Sequence, residues 1–355
     1  MTPTHDGAPP DPPGVDLAAL TGWLRGTRPD LLADAPLRAT LIAGGRSNLT
    51  YRVDGGRTPF VLRRPPLGHV LATAHDMGRE HRVVSALAGS AVPVPEALAL
   101  CTDDTVLGAP FYLMELVDGR VLRDAGDLAG LSADDVRALG GALVDVLADL
   151  HLLDVDAHGL ADFGRPDGYL ERQVRRWGRQ LDSSRSRDVA GIEDLRAGLA
   201  AAIPVSPAPT VIHGDYRLDN VMVAPDDLRR VVAVLDWEMA TLGDPLADLG
   251  LLVVYRNRPS TPGDPVSDAM AAPGFPSADE LVAHYARRTG TDVADLSWYA
   301  ALGFFKLAVV LEGIHYRFVQ GQTVGAGFDR IGLLVEPLVA GGLAALRRDG
   351  IPAQG

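Results

Sequence analysis

Lysine is almost missing from this chain of 355 residues: among 33 lysines and arginines, Lys306 is the single lysine. Chemistry that requires an amine side chain therefore has one candidate, and every other cationic contact must come from arginine. Cysteine is equally scarce, with Cys101 alone, so no internal disulfide is available and no Cys/His set has the spacing of a zinc site. Positive charge is in deficit. The 46 acids outweigh the 33 bases to give a net charge of −13, which argues against a nucleic-acid coat or an anionic membrane as partner. The longest apolar stretch, 298–314, carries Lys306 and Glu312 and falls short of the roughly 20 residues of a membrane span; it reads as a buried helix. The first 14 residues have neither a positive n-region nor an apolar h-region and read as a flexible arm rather than a signal peptide. A cytoplasmic location is expected.

Apolar residues make up 47% and charged residues 22%, enough for a substantial core, and the length suits two domains or one large one. After a short amphipathic helix at 16–25, strand-like runs fall at 39–43, 49–53 and 60–63, separated by turn-rich segments. A helix over 75–88 and strands at 96–101 and 111–117 follow. From 132 onward the pattern is mostly helical, at 132–153, 169–182 and 191–203 and again from about 245, 277, 296 and 328. Two short β runs interrupt it, 210–213 and 231–236. A β-rich front with one main helix and a helical back point to two lobes meeting near 117–120.

The strongest chemical signal is VIHGDYRLDNVMV, residues 211–223. An apolar strand delivers His213-Gly214-Asp215, with Asn220 following. A second apolar strand then ends at Asp236. Strand-terminal acids with an Asn in reach make an oxygen-rich pocket suited to Mg²⁺ beside phosphate oxygens. H-x-D-x-x-x-x-N followed by such an Asp is the spacing of kinase-type phosphoryl transfer. In that scheme Asp215 orients and deprotonates the attacking hydroxyl, Asn220 and Asp236 hold the metal, and Arg217 reaches the transferring phosphate. His213 reads as a structural hydrogen-bonding residue. Asp244 reads as a helix cap and Asp248 as support for the loop around Asp215.

Nucleotide contacts are expected from the front of the chain. Gly44-Gly45-Arg46-Ser47-Asn48 separates two strand-like runs, and Gly44, Gly45, Ser47 and Asn48 are candidates to approach phosphates through the backbone. Period-2 alternation puts Val61 and Arg63 on one strand face. Glu80 shares the apolar stripe of its helix with Val83, Val84 and Leu87. A carboxylate there is costly unless paired, and Arg63 is its natural partner.

These segments, with FYLMELVDG and LDWEMATLGDPLADLG, resemble the aminoglycoside phosphotransferase family of the protein-kinase-like fold. The likeness is greatest to the kinase domains associated with acyl-CoA dehydrogenases. The resemblance implies an α+β, two-lobed architecture: an arm at 1–14, a β-rich nucleotide-binding N-lobe at 15–117 and a larger, mostly helical catalytic C-lobe at 118–355. It implies ATP and Mg²⁺ as cofactors and Arg63–Glu80 as the phosphate-anchoring pair. Met114, Glu115 and Leu116 would form the adenine hinge. Arginine stands at 63 where kinases usually carry lysine; it keeps the charge and forks onto phosphate.

No A-P-E segment follows Asp236, so a small-molecule hydroxyl is favoured over a protein as acceptor. A hydroxyacyl-CoA-like metabolite comes first, an aminoglycoside or choline-like alcohol second. A nucleotide-binding pseudokinase is the rival reading, and the joint presence of Asp215, Asn220 and Asp236 speaks against it. Arg172, Arg175, Arg176 and Arg179 line the helix face opposite Leu170, Val174, Trp177 and Leu181. They read as a solvated basic face or as a dock for an anionic substrate.

Overall fold

The computed structural model describes residues 11–42, 48–67, 76–258, 266–322 and 328–347. The chain divides into two compact units, residues 11–88 with 94–118, and 89–93 with 119–347.

In the first unit, Arg38–Leu41 (β1), Leu49–Asp54 (β2), Phe60–Arg64 (β3), Ala97–Cys101 (β4) and Phe111–Glu115 (β5) form an antiparallel sheet in the order β1-β2-β3-β5-β4. Helix Leu17–Thr27 (α1) starts at Asp16, whose carboxylate accepts the Ala19 N–H at 2.8 Å. Helix Met77–Leu87 (α2) starts at Asp76, which accepts from Arg79 at 2.9 Å. Both are side-chain caps that satisfy backbone donors the first helical turn leaves open. The central strand β3 is buried along its whole length, and its alternation sorts the side chains between two cores. Phe60 and Leu62 pack with Leu20 and Leu24 of α1. Val61 packs with Met77 of α2, Tyr112 and Met114. Arg63 shares the side of Val61. Residues 13 and 14, assigned to the arm in the sequence, meet this sheet: the Tyr51 hydroxyl donates to the Pro13 carbonyl and Arg64 to that of Gly14.

The second unit is mostly helical. After the short helix Asp104–Leu107 (α3) of the first unit come Ala133–His151 (α4), Tyr169–Ser184 (α5), Ile192–Ala201 (α6), Pro245–Asn257 (α7), Ala278–Thr289 (α8), Leu296–Val319 (α9) and Val335–Leu346 (α10). Its strands are short: Arg120–Val121 (β6), Thr210–Ile212 (β7), Val221–Val223 (β8), Val231–Val234 (β9) and Thr241–Gly243 (β10), paired as β7 with β10 and as β6-β8-β9. The sequence anticipates β7 and β9. Strands β6, β8 and β10 have two or three residues each, too few to show a period.

Helix α9 corrects one expectation. It runs for 24 residues, so by length and apolarity it is able to cross a membrane, and the argument from shortness fails. Packing explains its composition instead, since most of it is buried by neighbouring elements. Glycines allow α7 to lie directly on α9: a Cβ at Gly250 would stand 2.6 Å from the Tyr299 carbonyl carbon, and one at Gly303 3.1 Å from Val254 Cγ2. One turn beyond Gly303, this contact carries Lys306 to the loop that follows β7.

Candidate active site

Strand β7 ends at Ile212, and the chain turns through Gly214 in the left-handed region (φ 83°), where a side chain would be strained. Asp248 of α7 fixes this turn by accepting the His213 N–H at 2.6 Å and the Gly214 N–H at 2.8 Å. Behind it, His151 Nε2 lies 3.4 Å from Asp248, and His151 Nδ1 lies 2.7 Å from the Tyr285 hydroxyl. Burial would push the Asp248 carboxyl up, but His151, His213 and the backbone donors together hold it below the usual range. Asp244 caps α7 through the Leu246 N–H and accepts the Tyr299 hydroxyl at 2.7 Å. Asp248 supports the loop and Asp244 caps the helix, as their positions in the sequence suggest.

His213 is fully buried, and one tautomer satisfies both ring nitrogens. Its Nδ1 accepts the Asp215 N–H at 3.2 Å, so Nε2 carries the proton and donates to the Leu235 carbonyl at 2.8 Å. The imidazole thereby ties the Asp215 turn to the residue before Asp236. It has no free nitrogen with which to act as a base.

Asp215 gathers the donors. Its Oδ1 accepts the Tyr255 hydroxyl at 2.9 Å, and its Oδ2 accepts Arg217 Nε at 3.2 Å and Asn220 Nδ2 at 3.3 Å. Burial pushes this carboxyl up, yet Arg217, Lys306 and the Tyr255 hydroxyl outweigh it and leave the pKa lowered. The side chain keeps 24% of its surface exposed, so an ionised, accessible carboxylate results. Tyr255 stays a donor, because burial and the Asp215 charge drive its phenol well up. Arg217 also pairs with Asp219 at 2.8 Å and lies over the Tyr255 ring, 5.3 Å from its centroid. Burial works against its charge, but Tyr255, Asp215, Asp219 and Asp236 together raise its pKa. Arg217, assigned in the sequence to a phosphate, is thus held first of all by two carboxylates.

Asn220 also donates Nδ2 to the Asp215 carbonyl at 2.9 Å, which turns its amide oxygen the other way. Its own carbonyl accepts the Leu235 N–H at 2.8 Å, joining the Asn220 loop to the end of β9. Asp236 follows with φ 64° and ψ 58°, alone among the described non-glycine residues in the left-handed region. Such a backbone is tolerated best by Asp, Asn and Gly and concentrates at functional positions. An amide oxygen and a carboxylate are a hard donor set that fits Mg²⁺, which takes one or two protein ligands and fills its sphere with water and phosphate. No larger cluster of His, Cys, Asp and Glu suited to a metal occurs among the described residues.

In the first unit, Arg63 Nε lies 2.7 Å from Glu80 Oε1, with 1% of the Glu80 side chain exposed. The Tyr112 hydroxyl donates to the same oxygen at 3.2 Å, and Arg63 donates to Thr50 Oγ1 at 3.2 Å. The pairing demanded by the buried stripe position of Glu80 is therefore present. Asn48 is buried; Gly44, Gly45 and Ser47 lie outside the described residues. The Glu115 N–H donates to the Glu96 carbonyl at 2.9 Å and its carboxylate accepts the Glu96 N–H at 3.2 Å. The side chains of Met114 and Leu116 belong to the apolar cluster around Val61.

Sequence reasoning missed Tyr255, Asp219 and Lys306. Lys306 was read as core, yet it donates to the Gly214 carbonyl and lies 5.5 Å from the centre of the Trp177 ring. The signal was available: a lone ammonium inside an apolar helix demands a polar partner just as Glu80 does. On α5, the expected stripe of Leu170, Val174, Trp177 and Leu181 is buried. The four arginines do not act as one face. Arg172 is half-buried and donates to the carbonyls of Asp167 and Arg165, whereas Arg175, Arg176 and Arg179 are exposed.

The sequence model of the phosphotransferase enzyme family matches residues 38–299. Acyl-CoA dehydrogenase family member 11 of Rattus norvegicus is 35% identical over 340 residues, covering 94% of this chain and 43% of that protein. Family member 10 of Mus musculus is 33% identical over 347 residues, covering 95% of this chain and 32% of its own length. The chain thus spans less than half the length of these curated relatives. Among solved structures, a Ralstonia eutropha protein provisionally described as an aminoglycoside phosphotransferase is similar, with TM-score 0.80, 34% identity, and coverage of 94% of this chain and 98% of that one. The GDP and kanamycin complex of an aminoglycoside phosphotransferase superposes with TM-score 0.59 at 17% identity, covering 93% of this chain and 97% of that one. That last likeness is one of fold.

Proposed function

The chain belongs to the phosphotransferase enzyme family, and we propose that it moves the γ-phosphate of ATP to the hydroxyl of a small molecule. Its fold is the α+β, two-lobed protein-kinase-like fold of that family. The observation that carries the reading is the state of Asp215: an ionised, partly exposed carboxylate held by Tyr255, Arg217 and Asn220. Such a group accepts the proton of an attacking alcohol as the new O–P bond forms and the bond from Pγ to ADP breaks. Arg217 and Tyr255 keep the carboxylate charged and aimed. Asn220 and Asp236 are the residues that would hold Mg²⁺, which supplies charge neutralisation on the phosphates when bound. Arg63, oriented by Glu80, serves as the nucleotide-phosphate anchor in the first unit, with Asn48 and the glycine-rich segment before it. Met114 and Leu116 offer apolar contact to the base, and ADP and GDP complexes of structural neighbours support nucleotide use.

For the acceptor, the names of the curated relatives favour a hydroxyacyl-CoA or a similar hydroxylated metabolite. The second reading is an aminoglycoside, favoured by the kanamycin and hygromycin B complexes of structural neighbours. Incubation with γ-labelled ATP and Mg²⁺ and a pool of hydroxylated metabolites, sampled with Asp215→Ala as control, tests both. Label in a hydroxyacyl thioester supports the first, label in an aminoglycoside the second. Nucleotide binding with no transfer to any pool, identical in the control, would make the protein a pseudokinase.

A further inference from the structure

Lys306 is the only ammonium side chain in the sequence, and its setting is unusual for a core lysine. It rises from the apolar helix α9, half-buried, and donates to one partner, the neutral carbonyl of Gly214. No carboxylate of the described residues pairs with it, although an ammonium in an apolar surround is stable only with an anion at hand. Two of its three N–H donors are left for something else. Burial lowers its pKa, Asp215 and Asp248 oppose this, and Arg176 and Arg217 act in the same direction as burial.

A second cation lies near the same indole. Arg176, exposed on α5, has its guanidinium carbon 5.3 Å from the centre of the Trp177 ring, and Lys306 Nζ lies 5.5 Å from the same centre. Two positive groups thus lie near one buried indole, neither in an ion pair with a carboxylate among the described residues, and Lys306 reaches the turn that presents Asp215.

We propose that Lys306 and Arg176, set against Trp177, form the acceptor-binding subsite and select an alcohol that carries a carboxylate or phosphate. This rests on the phosphotransferase reading for the position of the reacting hydroxyl, and it names the acceptor class: an anionic alcohol rather than a polycationic aminoglycoside. Lys306 is a specificity residue here. The anion completes its shell while the hydroxyl lies within reach of Asp215. Arg175 and Arg179 have no such partner and remain solvated.

The single lysine provides the readout. Full-length protein labelled with ¹³Cε-lysine gives one Lys306 signal, to be titrated with 3-hydroxybutyrate, glycerol 3-phosphate and 3-hydroxybutyryl-CoA. Butane-1,3-diol and kanamycin serve as neutral and cationic controls. The expected result is a saturable shift with at least one of the three anions and none with the controls. The arms also tell a carboxylate from a phosphate. Lys306→Met should bind that anion about tenfold more weakly or worse, Lys306→Arg should restore much of the affinity, and Arg176→Ala should weaken it in part. Arg176 is exposed, so its variant tests the subsite even where Lys306→Met fails to fold. A signal that none of the anions moves, or anion affinity unchanged in both Lys306→Met and Arg176→Ala, overturns the proposal. Transfer from ATP is followed in the same samples. An anion that shifts the signal but takes no phosphate counts against the phosphotransferase reading alone; one that takes phosphate without moving the signal counts against the subsite alone.

Discussion

Tyr255 donates its hydroxyl to Asp215 Oδ1 at 2.9 Å, a bond from helix α7 to the turn after β7. It is one of the interactions that hold the Asp215 carboxyl below its usual range against burial. A base of lowered pKa is active above that pKa and is lost as pH falls through it. Removing the donor with Tyr255→Phe raises the pKa. The acid limb of kcat/KM should therefore move upward by about one pH unit, the worth of one hydrogen bond to a charged group. A pH–rate profile of the two proteins checks this, and an unmoved acid limb contradicts it.

Arg63 and Glu80 are expected to separate stability from nucleotide binding. Arg63→Met leaves a carboxylate of 1% exposure without its partner and should cost about 3 kcal/mol or more of stability. The double variant Arg63→Met/Glu80→Gln should regain most of that loss while the affinity for ATP·Mg stays reduced at least about tenfold. Urea denaturation gives the first quantity and ligand-induced thermal shift the second. Restored affinity in the double variant would remove Arg63 from the nucleotide site.

Asp248 is expected to matter to the fold of the loop rather than to substrate. Asp248→Ala strips the N–H groups of His213 and Gly214 of their acceptor and should destabilise the protein by about 2–4 kcal/mol. The folded-state pKa of Asp248 is lowered, so its contribution is present above the unfolded value near pH ~4 and fades as pH falls through the folded one. The stability gap between wild type and variant should be full at pH 7 and should shrink in acid. A gap independent of pH down to the acid limit of folding contradicts the assignment.

Helix α9 tests the packing account. Gly250→Ala places a methyl 2.6 Å from backbone atoms of Tyr299, an overpacking expected to cost about 1–3 kcal/mol. Because the α7–α9 contact also sets Tyr255 and Lys306, turnover should fall along with stability. Chemical denaturation and initial rates on the same sample measure both, and a variant that keeps both stability and rate would contradict the close-approach argument.

Residues whose environment is local were legible in the sequence. The cap at Asp244 precedes an apolar period, and the fixed offsets from His213 to Asn220 identify one loop. Glu80 was legible for a different reason: its place on an apolar stripe demanded Arg63, and strand alternation put Arg63 on the facing side. Tyr255 and Lys306 were not found, because their relation to Asp215 depends on how α7 and α9 pack and not on spacing along the chain; Asp219 lies within the 211–223 segment itself, and its role shows only in its pairing with Arg217. The grouping of Arg172 with Arg175, Arg176 and Arg179 failed similarly. Helical angle gives a common face, but only tertiary structure shows that Arg172 is engaged by the carbonyls of residues 165 and 167.

The central claim is that Asp215 is the base of a phosphoryl transfer to a hydroxyl, and single-turnover transfer with Asp215→Asn tests it most directly. With enzyme in excess over γ-labelled ATP and with 3-hydroxybutyryl-CoA as acceptor, the account predicts transfer by wild type. In the variant the rate should be lower by about two to four orders of magnitude, the range for a general base, with ATP·Mg affinity unchanged. Transfer at the wild-type rate in Asp215→Asn would contradict the account.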